Sequence, residues 1–279
     1  MNRRQFLLRA ATTLASGLAA SGSWPLSSLA AGSQTELRRQ GNMAIIIDDI
    51  GFSRSRARNF LALGIPLTFS VLPRISFTRE LADTLHAAGH EIMLHQPMEP
   101  VDNSFNPGPG AVYTAYRRRE IVAAIEENIS EIPHVIGVNN HMGSKFTADS
   151  DKMRQALGVV KSKELFFVDS MTTHHSKGYP TANRLGITTA RRNIFLDNCL
   201  SVPAILAQLN KLQQVALKTG RALAIGHPFP ETAAAIQLFN RRKKKSSVQF
   251  VHVSRVLYEM KGAKGSSIRP FLIIPMHGC

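Results

Sequence analysis

Cysteine and tryptophan are nearly missing from this chain, with two cysteines and one tryptophan in 279 residues. Cys199 falls in an expected loop and Cys279 is the last residue, with no Cys-x-x-Cys pair and no cysteine beside a histidine cluster. That argues against a thiolate metal site and a disulfide-framed scaffold; one bridge is chemically permitted in an oxidising compartment. No glycine-rich phosphate loop follows the first apolar run, which weighs against a nucleotide-binding sheet. No apolar stretch is long enough to give the mature chain an integral membrane span. Acids are scarce, 19 against 34 lysines and arginines. Such an excess attracts anionic surfaces. Without interleaved aromatics or a recognisable module, no nucleic-acid partner is expected, whereas electrostatic association with an anionic envelope is. The densest basic run, Arg241-Arg242-Lys243-Lys244-Lys245, reads as a solvated loop after a helix.

The first 30 residues read as an address. Asn2-Arg3-Arg4-Gln5-Phe6-Leu7-Leu8 has the twin-arginine pattern, a weakly apolar stretch runs from Leu7 to Ala20, and Ser28-Leu29-Ala30 offers small residues for cleavage. The expected location is therefore periplasmic or secreted, after twin-arginine export from a bacterial cytoplasm. Beyond a basic linker over residues 31–42, one domain is expected over residues 43–279. Removing the leader leaves a net charge of about +12, and enough chain for one full α/β core.

Short apolar runs alternate with helical patterns along the rest. Strands are expected over 43–47, 67–72, 91–94, 135–138, 165–168, 187–190, 222–225 and 248–251. Helical periodicity occupies 56–63, 77–88, 120–129, 152–160, 202–217 and 233–239. This alternation implies parallel β/α units. The fold expected is α/β, an irregular (β/α) barrel of seven or eight parallel strands, with an open doubly wound sheet as the alternative.

Polar residues gather where the strands end. Asp48-Asp49 follows Met43-Ala44-Ile45-Ile46-Ile47, a run that reads as a buried strand. Adjacent carboxylates repel unless a cation or proton relieves them. Taken alone, the pair is more often a helix cap beside a solvated acid. Yet 91–94 runs into His95, 135–138 into Asn139-Asn140-His141, 165–168 into Asp169, and 222–225 into Gly226-His227. In a parallel barrel such positions surround one mouth. One Asp with two His is a common composition for a catalytic divalent metal site.

Several strings, in order, resemble the divergent polysaccharide deacetylase family, distant relatives of the metal-dependent carbohydrate deacetylases. They are Ile45-Ile46-Ile47-Asp48-Asp49-Ile50-Gly51, Leu94-His95-Gln96-Pro97-Met98-Glu99-Pro100 and Gly137-Val138-Asn139-Asn140-His141-Met142-Gly143-Ser144. Phe167-Val168-Asp169-Ser170, Phe195-Leu196-Asp197-Asn198 and Ala224-Ile225-Gly226-His227-Pro228 continue the likeness. Two positions depart from it: Met171 stands where Arg is expected and Asn193 where Asp is expected. In the related enzymes the second motif is His-x-x-x-His; here it is His95-x-x-x-Glu99.

The resemblance implies a barrel-like fold, a divalent metal, expected to be zinc, and removal of acetyl groups from a polysaccharide. Asp49, His95 and His141 are the implied ligands, Asp48 the general base and His227 the general acid. Asp169 is expected to hold His227 protonated and oriented. Glu99 is expected as a fourth ligand or as partner of a ligating imidazole. Asn139 and Asn140 either set loop geometry or donate to substrate. A non-catalytic carbohydrate-binding or envelope-organising module on the same fold is the alternative to a hydrolase.

Overall fold

The computed structural model describes residues 40–243 and 248–262. The expected leader, most of the linker, and Cys279 lie outside them. The elements run β1 (Gly41–Ile50), α1 (Arg54–Leu61), β2 (Thr68–Val71), α2 (Thr78–Ala87), β3 (Glu91–Met98), α3 (Arg118–Glu131) and β4 (Val135–Met142). A 3₁₀ turn (Phe146–Ala148) precedes α4 (Ser150–Ser162), β5 (Phe166–Asp169), α5 (Gly178–Arg184), β6 (Thr189–Arg191) and β7 (Ile194–Phe195). Then come α6 (Val202–Thr219), β8 (Arg221–Gly226), α7 (Pro230–Arg242), β9 (Val248–Phe250) and α8 (Val253–Gly262).

All strand ladders are parallel, in the order β6-β5-β4-β3-β2-β1-β8-β7. This curled eight-strand path, flanked by helices, forms a half-barrel and agrees with the expected barrel class. Among the described residues no ladder joins β6 to β7. The ninth strand, β9, pairs with Gly41–Met43 at the start of β1, below the point where β2 begins to pair at Ile46. No described helix is long and apolar enough to cross a membrane.

The sheet separates two apolar cores, which explains the unbroken hydrophobic runs. Met43, Ile45 and Ile47 face the helix layer, while Ala44 and Ile46 face the concave interior. The interior is lined also by Met93, Phe166, Val168, Leu223 and Ile225, and packs against Val253, Val256 and Leu257 of α8. Helix boundaries follow local chemistry. Ser201 caps α6 by accepting the Ala204 N–H, and Gly220 ends it at φ 85°, a left-handed conformation that glycine adopts without a Cβ clash. Between them Ile205, Leu209, Leu212 and Ala216 bury one stripe.

Three strands run further than their apolar runs suggest. β1, β3 and β4 continue through Asp48-Asp49, His95 and His141, so these residues lie inside strands. The elements β7, α5 and α8 have no counterpart in the periodicity: β7 has two residues and α5 has seven. Cys199 lies in the loop after β7.

Candidate metal centre

Side-chain alternation along the strands decides which residues meet. Ala44 and Ile46 face the interior, so Asp48 faces it too. The same parity places His95 with Met93, and His227 with Leu223 and Ile225, on the inner face. On β4 and β2, Val138, Phe69 and Val71 belong to the outer core, which turns Asn139, His141 and Ser70 inward. Asp49 would point outward by parity. Its φ of 56° and a register shift between Ile47 and Ile50 re-aim it. Met142 (φ 51°) and Met171 (φ 52°) take the same left-handed conformation at the ends of β4 and beyond β5. Such backbone costs about 1–3 kcal/mol per residue and clusters at functional sites.

Asp49, His95 and His141 converge. Asp49 Oδ1 lies 3.2 Å from His95 Nε2 and 3.0 Å from His141 Nδ1, and the two imidazole nitrogens are 3.2 Å apart. Four ligands at ~2.1 Å around a tetrahedral ion would stand about 3.4 Å apart, so the triangle is slightly contracted. Asp49 Oδ1 is buried yet makes no hydrogen bond of acceptable geometry. An unpartnered buried carboxylate oxygen facing two imidazole nitrogens is the donor set a divalent cation fits.

Asn139 fixes the orientation of this set. It is fully buried; its Nδ2 donates to Asp48 Oδ1 at 2.9 Å and to Ser170 Oγ at 3.2 Å. Its Oδ1 therefore accepts, from Ser70 Oγ and from His95 Nδ1 at 2.7 Å. With the proton on Nδ1, His95 turns the Nε2 lone pair toward Asp49. Asp48 Oδ2 lies 3.5 Å from His95 Nε2.

Charges follow the geometry. Burial dominates at Asp48 and raises its pKa, against the pull of His95 and His227. At Asp49 burial acts upward, but His141 and His95 outweigh it and hold the carboxylate well below its usual range. Burial disfavours the charged form of His95, yet Asp48 and Asp49 overcome it and raise the pKa.

His227 stands across a cleft of about 120 Å³ lined by Asp49, Phe52, Arg56 and Phe229. Its Nδ1 is 2.9 Å from Asp197 Oδ1, while Asp197 Oδ2 accepts the His227 N–H at 2.6 Å and Thr232 Oγ1 at 2.8 Å. Burial opposes protonation of His227, but Asp197, aided by Asp49 and Asp48, raises its pKa to about 9.

Two expectations are corrected. Asp169 does not orient His227. It shares the parity of Phe167, which faces the helix layer, and there it accepts from Ser176 Oγ, Met171 N and Tyr179 N. Asp197 has the expected role instead. Nor is Glu99 a ligand or the partner of one: its carboxylate accepts from Thr114 N, Thr114 Oγ1 and Lys145 Nζ at 2.6–2.7 Å. For Asn140 the first of the two alternatives, loop geometry, fits: it accepts from Ser170 N and donates to the Met142 carbonyl. Asn139 likewise has its amide committed within the protein.

Ser70, Ser170, Asp197 and Arg192 had no assigned role from the sequence. Asp197 lies in Phe195-Leu196-Asp197-Asn198, one of the family-like strings, two residues past β7. Arg192 is buried, donates to the Ser170 and Met171 carbonyls, and lies 3.7 Å above the Phe195 ring. Burial lowers its pKa to about 10 although Asp169 and Asp48 raise it, so it stays cationic at neutral pH. Met171, where Arg was expected, is buried; Arg192 donates to its carbonyl. Asn193, where Asp was expected, accepts from Leu223 N at 2.7 Å, an acceptor role that Asp also fills.

Comparison with known proteins places this geometry in context. The profile of a family described as divergent polysaccharide deacetylase matches residues 45–257, which span every residue of the site. The uncharacterized protein YibQ of Escherichia coli (strain K12) is 31% identical over 203 residues, 71% of this chain and 61% of that protein. The chain thus spans about three-fifths of that relative's length. An uncharacterized protein of Haemophilus influenzae is 28% identical over 235 residues, 84% of this chain and 82% of that one. The crystal structure of uncharacterized protein ATU2773 from Agrobacterium tumefaciens C58 overlays with a TM-score of 0.73 at 22% identity, covering 79% of this chain and 93% of that chain. At that identity the likeness shows the fold.

Proposed function

The chain belongs to the divergent polysaccharide deacetylase family, and from that premise we propose that it is an exported, metal-dependent hydrolase removing acetyl groups from an envelope or extracellular polysaccharide. The observation that carries this reading is the unpartnered Asp49 Oδ1 facing His95 and His141, with His227 across one cleft. A divalent ion, expected to be zinc, would supply there a Lewis acid that activates water and polarises an acyl carbonyl.

The remaining chemistry belongs to the chain. Asp48 is the base: Asn139 holds one of its oxygens, and burial raises its pKa toward the range where it accepts a proton and later releases it. His227 is the acid, kept protonated by Asp197 and placed to give a proton to the departing amine or hydroxyl. Phe52, Phe229 and Arg56 wall the cleft that receives the acetyl-bearing sugar. Export follows from the Arg3-Arg4 leader, which lies outside the described residues. The net charge of about +12 left after removal of the leader supports electrostatic association with an anionic envelope.

The test combines metal analysis of purified protein with acetate release from chitin oligomers, peptidoglycan and O-acetylated polysaccharides. Asp48→Asn is expected to retain metal and to lose at least ~10²-fold in turnover, because it removes a base and not a ligand. Loss of metal from that variant would show the two acids reversed. Bound metal with no acetate from any glycan would favour a non-catalytic carbohydrate-binding module.

A further inference from the structure

The chain between β3 and α3 does more than connect them. It forms one wall of a groove of about 540 Å³, on the same strand-end edge as the metal centre, a size typical of ligand pockets. Tyr113 and Tyr116 lie in it with ring centroids 5.3 Å apart. Neither phenol hydroxyl has a partner among the described residues. The opposite wall is α3, where Ala123 and Ala124 leave room beside Glu120 and Glu127.

This groove is rigidly tied to the metal-bearing strands. Thr114, between the two tyrosines in sequence, is clamped by Glu99, the first residue past β3, which also holds Lys145 beyond His141. Asn128 of α3 donates to the Gly110 carbonyl and to Gln96 of β3. Arg74 closes the end. Its backbone sits at φ 58°, its N–H donates to both carboxylate oxygens of Glu131, its Nε to Asn128 and its Nη2 to Glu127 at 2.7 Å.

Such a lining selects a ligand class. Two rigid aromatic faces with free hydroxyls suit the apolar faces and polar edges of pyranose rings. A guanidinium beside a carboxylate offers donor and acceptor to a vicinal diol. Glu127 and Glu131 already pair with Arg74, so a polyanion gains little there. We infer that the groove is a second glycan-binding site, taking neutral pyranose units of a chain whose other units reach the metal centre. The inference extends the deacetylase reading from a sugar unit to a polymer and can fail separately from it.

The test measures binding of the full chain to chitopentaose and to peptidoglycan sacculi. Tyr113→Ala combined with Tyr116→Ala is expected to weaken binding about tenfold, and Tyr113→Phe to keep it. Ala123→Trp, which fills the groove from the exposed face of α3, should weaken binding as much. It serves as the second variant if the double alanine variant melts early. Unchanged binding in Ala123→Trp and the tyrosine variants, or no binding of either probe by the wild type, overturns the second site. Binding that depends on the tyrosines, without acetate release, would instead overturn the hydrolase reading and leave this site standing.

Discussion

Replacing Asp197 by Asn keeps the shape and an acceptor beside His227 but removes the charge that holds its proton. The His227 pKa of about 9, against an ordinary 6.5, favours the imidazolium by roughly 3 kcal/mol. Without Asp197, burial works against the charged ring, and a return to about 6.5 is the conservative outcome. At pH 7.5 the protonated fraction would then fall from nearly all to about one tenth. Acetate release at that pH should drop about tenfold, with the loss recovered below pH 6. A cation at the Asp49 corner lowers the alkaline limb in both proteins, so the difference between their profiles is the readout. An NMR titration of the imidazole measures the same quantity directly. The sign for stability is set too: a raised folded-state pKa stabilises fully below about pH 6.5 and fades as pH rises through about 9. Identical alkaline limbs in wild type and Asp197→Asn would refute the electrostatic role. A variant equally slow at every pH would reduce Asp197 to a geometric part.

Asn139→Ala removes the acceptor that fixes the His95 tautomer and should weaken metal binding about 10–100-fold in a chelator competition; unchanged affinity would show that His95 orients itself. Glu99→Gln should retain metal and lower stability by about 1–3 kcal/mol in denaturant titration, whereas loss of metal would restore Glu99 to the ligand set. Burial works upward on the Glu99 pKa, but Lys145 and Thr114 outweigh it and hold it below its ordinary 4.5. Its contribution is therefore present above that value and fades as pH falls through the lowered one. Replacing Arg3-Arg4 by Lys-Lys should keep the chain in the cytoplasm on fractionation; unchanged delivery would leave an ordinary signal peptide.

The fold was legible because its signals are strong and local. Runs such as Ile45-Ile46-Ile47 and Leu223-Ala224-Ile225 can be buried on both faces only in a covered parallel sheet, and helices such as α6 bring their own caps. The metal triad was legible as motif, since three strings deliver Asp49, His95 and His141. What surrounds the triad was not, and strand parity explains most of it. Asp169 sits one residue after Val168, an inward position, and so turns toward the helices. Asp197 reaches His227 through the short strand β7, whose two residues leave no periodic signal. Glu99 occupies the place of a second histidine in the motif, yet its strand has already ended at Met98. The backbone has turned there toward Thr114, as spacing alone cannot show.

Asn139 touches every strand from β1 to β5: Asp48 on β1, Ser70 on β2, His95 on β3, and Ser170 just past β5, from its own seat on β4. The residue that orients His95 and Asp48 takes its place only when its four partners, drawn from four other segments of the sheet, are in register. An ion held by Asp49, His95 and His141 would join segments far apart along the chain, and its binding energy would add to the stability of the folded protein. A cell that ships this protein already folded would be sending its ion count along with it, a ledger of which molecules finished folding before they left.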